Sequence, residues 1–325
     1  MFNRILLPMD RSSLAECVLP HAVVVARAFE SLVTLVNAME SPDRAIWRRA
    51  VDPLTWRIRK VEAESYLGDL AQRLQKAGVS TEKQILEGPA AEGIIEYSHK
   101  NHVPLIMLSS HGQSGLSDWN VSSIVQKIIA RAHTSIMIVR AHRYQPASTE
   151  MTSLRYRRLL VPLDGSQRAE SILPIVTTLV RAHEAQAVLA HVVHRPEMAR
   201  RMPPTDEDVK LADRIVERNR AEATQYLDQL RSQLNGEVQA RLLISEHVAA
   251  ELHELVDQEK IDLVLLTAHG YSAQTRWPYG SVVGSFITYG TTPLLVVQDV
   301  PPDKIEPTWA EVDVGKNERG PGSRR

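Results

Sequence analysis

Two aspartates close short apolar runs: Asp10 follows Ile5-Leu6-Leu7-Pro8-Met9, and Asp164 follows Leu159-Leu160-Val161-Pro162-Leu163. Later in each half a His-Gly pair, His111-Gly112 or His269-Gly270, ends another apolar run. Nine residues further on come Ser122-Ser123 in the first half and Gly280-Ser281 in the second. A Gly-Ser pair opening a helix suits anion chemistry. The first amides of a helix lack intrahelical acceptors and lie at the positive end of its dipole, which favours phosphate. Gly280 lets the backbone approach phosphate oxygens with no Cβ between. Ser281 adds a hydroxyl, and Val282 the next amide. Ser122 is small and polar but crowds that approach, so the second half is the better phosphate binder.

Each candidate also has a plainer reading. Asp10 and Asp164 either contact a ligand or orient the turn that follows them. His111 and His269 either contact the ligand or hydrogen-bond their own loop. Other chemistries find less support. Gly112-Gln113-Ser114-Gly115 is one residue short of a nucleophile elbow, and the second half has Gly270-Tyr271-Ser272-Ala273 there. His99 with His102, and His191 with His194, lack the cysteine or carboxylate neighbours of a metal site, and none is expected. No Gly-x-Gly-x-x-Gly follows either opening run, and no Gly-x-x-x-x-Gly-Lys occurs. The stretch around Trp47, Arg48, Arg49, Trp56, Arg57 and Arg59 reads as a solvated helix start or a lid rather than an RNA surface.

These residues must be held by something, and the chain repeats its scaffold. Arg4–Ser12 corresponds to Arg158–Ser166, Leu105–Gly112 to Leu263–Gly270, and Ile136–Val139 to Leu294–Val297, in the same order. The repeat is a domain long, so it marks a duplication. The expected domains are 1–147 and 153–300, joined by an aperiodic stretch with Pro146, and residues 301–325 are expected to be a disordered tail.

In the first copy, strands are expected near Ile5–Met9, Leu32–Ala38, Ser80–Leu86, Leu105–Ser109 and Ile136–Arg140. Helices are expected near Ser13–Glu30, Arg57–Ala77, Ala90–Lys100 and Ser123–Ala132, with Ser13 and Glu16 forming a capping box. The second copy repeats the order, with a long helix near Asp206–Leu234. Continuous Val/Ile/Leu strands alternating with amphipathic helices predict an α/β class: two tandem doubly wound domains, each a five-stranded parallel sheet with helices on both faces. In such sheets ligands bind at the carboxyl ends of strands where the order reverses. If the first and fourth strands are neighbours, each Asp and its His-Gly loop flank one crevice.

The opening Pro-x-Asp-x-Ser, the His before the loop glycine, and the nine-residue interval to Gly-Ser together resemble the universal stress protein (UspA) family over nearly all of both copies. The family motif is Gly, two residues, Gly, nine residues, then Gly-Ser or Gly-Thr. The resemblance implies the adenine nucleotide alpha hydrolase-like fold and an adenine nucleotide ligand, ATP, with any Mg²⁺ arriving with it. Base and ribose would lie by Pro162, Leu163, Asp164 and Val192, and in the first copy by Pro8, Met9, Asp10 and Ala38. The loop and phosphates would involve Thr267, His269, Gly270, Gly280, Ser281 and Val282, with Ser109, His111, Gly112, Ser122 and Ser123 as weaker counterparts. The sequence departs from the motif at its first glycine, which is Ser109 in one copy and Thr267 in the other. Trp119 and Trp277 stand where the family usually has aliphatics. Family members pair through the last strand, which implies an internal pseudo-dimer through Ile136–Val139 and Leu294–Val297, and offers a route to a homodimer.

Composition sets the remaining bounds. The chain has 325 residues, 43% hydrophobic and 24% charged, with a net charge of -1, ordinary for a globular protein and without the basic excess of a nucleic-acid binder. One cysteine, Cys17, rules out an intrachain disulfide and fits a reducing cytoplasm. No apolar stretch approaches membrane-spanning length, and no secretory leader is evident. The expectation is a cytoplasmic, ATP-binding stress-response regulator without enzymatic activity beyond slow, incidental hydrolysis. The alternative is an interaction scaffold that has lost its nucleotide.

Overall fold

The computed structural model describes residues 1–40, 53–113, 115, 121–141, 151–196, 205–234, 236–271 and 278–299. The first copy has strands β1 Arg4–Pro8, β2 Leu32–Met39, β3 Thr81–Glu87, β4 Leu105–Ser109 and β5 Ser135–Val139, with helices α1 Leu19–Phe29, α2 Pro53–Lys76, α3 Ala90–Lys100 and α4 Ser123–Arg131. The second has strands β6 Arg158–Pro162, β7 Gln186–His194, β8 Glu237–Ser245, β9 Leu263–Thr267 and β10 Leu294–Val297, with helices α5 Gln167–Glu170, α6 Leu173–His183, α7 Asp206–Gln233, α8 Val248–Gln258 and α9 Ser281–Tyr289. The expected tail at 301–325, Trp47, Arg48 and Arg49, Trp119 and Trp277, and most of the join lie outside the described residues.

The strands form one sheet in the order β3-β2-β1-β4-β5-β10-β9-β6-β7-β8. Within each copy every pairing is parallel. The strands β4, β5, β9 and β10 are buried at every residue, as their apolar runs require, with only Ser109, Ser135 and Thr267 polar, each at a strand end. Outermost β3 exposes Glu82, Lys83 and Gln84, charged and polar residues that discourage further edge pairing.

The last strands pair with each other. β5 runs antiparallel to β10, with Ile136 opposite Val296, Met137 opposite Leu295 and Ile138 opposite Leu294. The Gln298 N–H donates to Ser135 Oγ at 3.1 Å and extends the seam. On one face, the side chains of α1, α2, α6 and α7 share a single apolar core that runs across both copies. On the other face α3 with α4, and α8 with α9, pack over separate cores.

Two local expectations need correction. The first helix does not run unbroken from Ser13: a 3-10 turn at Ala15–Val18 precedes α1, whose first turn contains Pro20. Proline suits a helix start and disrupts an interior. Nor is there a Ser13–Glu16 capping box. Ser12 Oγ accepts from the Ala15 N–H at 3.0 Å, while Glu16 holds Arg73 at 2.8 Å. A capping box does occur at Thr205 and Asp208, opening α7.

The α1–α6 contact carries a ring cluster. Phe2 meets Phe29 edge-on at 5.2 Å, and the matching pair in the second copy, Tyr156 and His183, does so at 5.0 Å. Tyr156 also reaches across the copies to His21 Nδ1 at 2.7 Å. Burial pushes the His21 imidazole down from 6.5 to about 4. Between those values the unfolded chain holds a proton that the folded chain lacks, so stability falls as pH drops through that window. Urea unfolding at successive pH values should show this fall, and His21→Gln should flatten part of it. Identical pH profiles for the two proteins would contradict this role for His21.

Candidate functional site

β1 lies beside β4, and β6 beside β9, so the strand order reverses between them and a crevice opens at their carboxyl ends. Each Asp and its His-Gly loop meet there. Asp10 Oδ1 accepts from the Ser12 N–H (3.0 Å) and hydroxyl (2.6 Å), and its Oδ2 from the Gln113 N–H. Asp164 repeats the pattern with Ser166 (3.0 and 2.6 Å) and the Tyr271 N–H. Burial pushes the Asp164 carboxyl up, but these hydrogen bonds outweigh it and hold the pKa below its ordinary value. The aspartates therefore latch the first strand to the loop after the fourth. The loop glycines are explained by the same latch: a Cβ on Gly112 would lie 1.9 Å from Asp10 Oδ2, and one on Gly270 2.2 Å from Asp164 Oδ2.

The other loop residues face inward. Ser109, at the motif's first glycine, donates to the His111 carbonyl at 2.7 Å, and Thr267 donates to the His269 carbonyl at 2.9 Å. His111 Nδ1 lies 3.1 Å from Ser110 Oγ. In the second copy Ala268 replaces that serine, and His269 Nδ1 pairs with Asp299 at 2.8 Å, both side chains almost wholly buried. Met9 and Leu163 extend their strands with their side chains in the core. Pro8, Pro162 and Ala38 are half-buried at strand ends.

The helix starts differ. Ser122 caps α4 in the first copy, its Oγ accepting from the Val125 N–H at 3.4 Å, and Ser123 follows it, exposed. Gly280 opens α9 with no side-chain cap. Its φ of -72° suits any residue, and a Cβ there would meet nothing closer than 3.7 Å. Neither backbone nor packing demands this glycine, which leaves the helix mouth clear. Ser281 is exposed beside it, and the Val282 side chain packs against the core.

A cavity of about 370 Å³ opens between the end of β7 and α7, lined by Gly165, His191, Val192, Asn219, Glu222 and Tyr226 among others. His191 Nδ1 lies 2.8 Å from the Leu163 carbonyl; a carbonyl only accepts, so Nδ1 carries the proton and Nε2 is left as an acceptor. Burial lowers the His191 pKa, offset in part by that bond and by Asp164.

Comparison with known proteins agrees with this architecture. The Universal stress protein family profile matches residues 1–140 and again 155–298. The chain belongs to the universal stress protein family. A universal stress protein of Methanocaldococcus jannaschii is 24% identical over 141 residues, 43% of this chain and 83% of the relative. The solved universal stress protein of Archaeoglobus fulgidus shares the fold over 92% of this chain and all of its own, with TM-score 0.65 and 16% identity. A protein of unknown function from Pseudomonas aeruginosa does so over 98% of both chains, with TM-score 0.67 and 13% identity. Among the described residues no helix is long and apolar enough to cross a membrane.

The two copies of this universal stress protein differ where the cavity lies. Arg11 stands in the first copy where Gly165 stands in the second, both at positive φ (69° and 85°). Arg11 spans to Glu62 on α2 at 3.2 Å, and Glu62 is the counterpart of cavity-lining Glu222. The first crevice is thus strapped by an ion pair at the place where the second is open. Residue-by-residue comparison of the copies would have exposed the Arg11–Gly165 difference. The α7 residues Asn219, Glu222 and Tyr226 carry no motif that marks them in the sequence, and the spacing of His191 with His194 suggests only a metal ligand.

The latch makes a specific prediction. Gly270→Ala should destabilise the protein by roughly 1–3 kcal/mol through overpacking, and adding Asp164→Ala should remove most of that penalty. A double-mutant cycle in urea measures the coupling. A Gly270→Ala penalty unchanged without Asp164 would contradict the latch.

Proposed function

We propose that the second copy of this universal stress protein binds an adenine nucleotide, ATP first among them, and that occupancy of this one site sets the protein's regulatory state. The observation that carries the reading is the open cavity at Gly165, at the same strand-end face of the second copy as the uncapped start of α9. Electrostatics orders the ligand within it. Asp164 and Glu222 disfavour phosphate at the β7–α7 end and match sugar hydroxyls, which donate to carboxylates. His191 Nε2 offers an acceptor to a base amine. The α9 amides at Val282 and Val283 favour phosphate at the other end.

This is a binding site rather than a catalytic one. The chain has no P-loop lysine, and His269 is committed to Asp299. The first copy, with its Arg11–Glu62 strap and its Ser122 cap, supports the scaffold reading for that half. We place the protein in the cytoplasm, in keeping with a single buried free cysteine.

Calorimetric titration of the full chain with ATP tests this. The wild type should bind, and Gly165→Arg, which rebuilds the first copy's strap opposite Glu222, should weaken binding by about tenfold or more. Arg11 already adopts the required backbone conformation in its own copy, so the variant should fold. Absence of binding at millimolar ATP, or unchanged binding in Gly165→Arg, would favour the scaffold.

A further inference from the structure

Because the copies correspond helix for helix, one serves as a control for the other. α8 has the length of α3, and α9 that of α4. In the first copy, Arg131, the last residue of α4, reaches across to Glu92 on α3 at 3.5 Å. His99 Nε2, on the same face of α3, lies 2.7 Å from the Ala132 carbonyl. The cleft between those two helices is therefore bridged by the protein's own side chains. In the second copy the matching positions are Tyr289 for Arg131, Ala250 for Glu92 and Asp257 for His99. Both of those bridges are gone; His253 Nε2 lies 3.1 Å from Ser285 Oγ deeper between the helices, and a cavity of about 650 Å³ lies between α8 and α9, within the usual size of a small-molecule site.

The wall chemistry indicates what fits. His253 stacks on Phe286, with ring centroids 4.2 Å apart, and Tyr289 stands at the rim, 71% exposed. The Asp257 carboxylate is the one side chain of the lining with a fixed formal charge. Burial lowers the His253 pKa despite Asp257, which keeps that imidazole neutral at pH 7. The carboxyl end of α9 borders the same space, but its Phe286 and Ile287 carbonyls already accept from the Arg140 guanidinium, so Asp257 carries the attraction for a cation. Arg140, from the first copy, lies behind Gly290 and is bonded to the Phe286 carbonyl at 2.7 Å.

We infer that this cleft binds a small organic cation, a guanidinium or primary ammonium on a short alkyl chain, in the place that the Arg131 side chain fills in the first copy. Asp257 is its counter-ion. The face of exposed Tyr289 takes the alkyl chain and attracts the cationic head. The cleft lies between α8 and α9, away from the β7–α7 cavity, and the inference does not depend on nucleotide binding.

Agmatine, which carries both cationic groups, is the probe. Titrated into the full chain, it should bind. Asp257→Asn should weaken binding by about tenfold. Ala250→Glu combined with Tyr289→Arg, which rebuilds the first copy's ion pair, should abolish it. Both altered positions are exposed, so the double variant should keep the wild-type melting temperature. No binding at millimolar agmatine would overturn the inference. So would binding that survives the double variant, or inorganic phosphate bound in preference to agmatine.

Discussion

The antiparallel pairing of β5 with β10 is the constraint on which the rest of the structure depends. A five-stranded parallel unit ends in a strand with one unpaired edge, and backbone donors and acceptors buried without partners are costly. Here each copy covers the other's edge. One continuous sheet follows, and with it the shared apolar core beneath α1, α2, α6 and α7. Arg140 ties the seam further by crossing from the first copy to the carbonyls at the end of α9. Antiparallel pairing also points the carboxyl ends of the two half-sheets in opposite directions. The two crevices therefore open at opposite ends of the sheet and are chemically independent.

Independence lets the copies diverge, and the divergence is concentrated in a few substitutions. The scaffold around each crevice is the same: Asp10 and Asp164 make the same hydrogen bonds, and Gly112 and Gly270 stand aside for the same carboxylate. At the crevice mouth the first copy has Arg11 and Ser122 against Gly165 and Gly280 in the second. Between the helix pairs it has Glu92 and Arg131 against Ala250 and Tyr289. Each change removes a side-chain bond that the first copy makes, leaving glycine, alanine or, at Tyr289, an exposed ring. The first copy carries ion pairs and a helix cap at these places, and the second has a cavity beside each.

Much of this was legible in the sequence, for identifiable reasons. Fully buried parallel strands are apolar along their length and polar only at an end, as at Ser109 and Thr267, so β4 and β9 could be read to the residue. Duplication made each weak motif count twice. What was not legible involved contacts distant in sequence. The Ser13-x-x-Glu16 pattern allows a local cap, but Arg73, 57 residues on, holds Glu16, and Ser12 caps instead. The family resemblance puts Gly112 and Gly270 at the loop and phosphates, yet each also has a steric cause in an aspartate about a hundred residues earlier. The cavity wall on α7 carried no signal, because Asn219 and Glu222 are ordinary residues of a charged helix until β7 packs beside them.

The central claim is that one crevice of the two holds a nucleotide. Native mass spectrometry of the 36.4 kDa chain with ATP in excess counts occupancy directly. A single adduct of one nucleotide per chain, saturating without a second, is the predicted spectrum. Two equally populated adducts, or none above the nonspecific level of a control protein, would contradict the account.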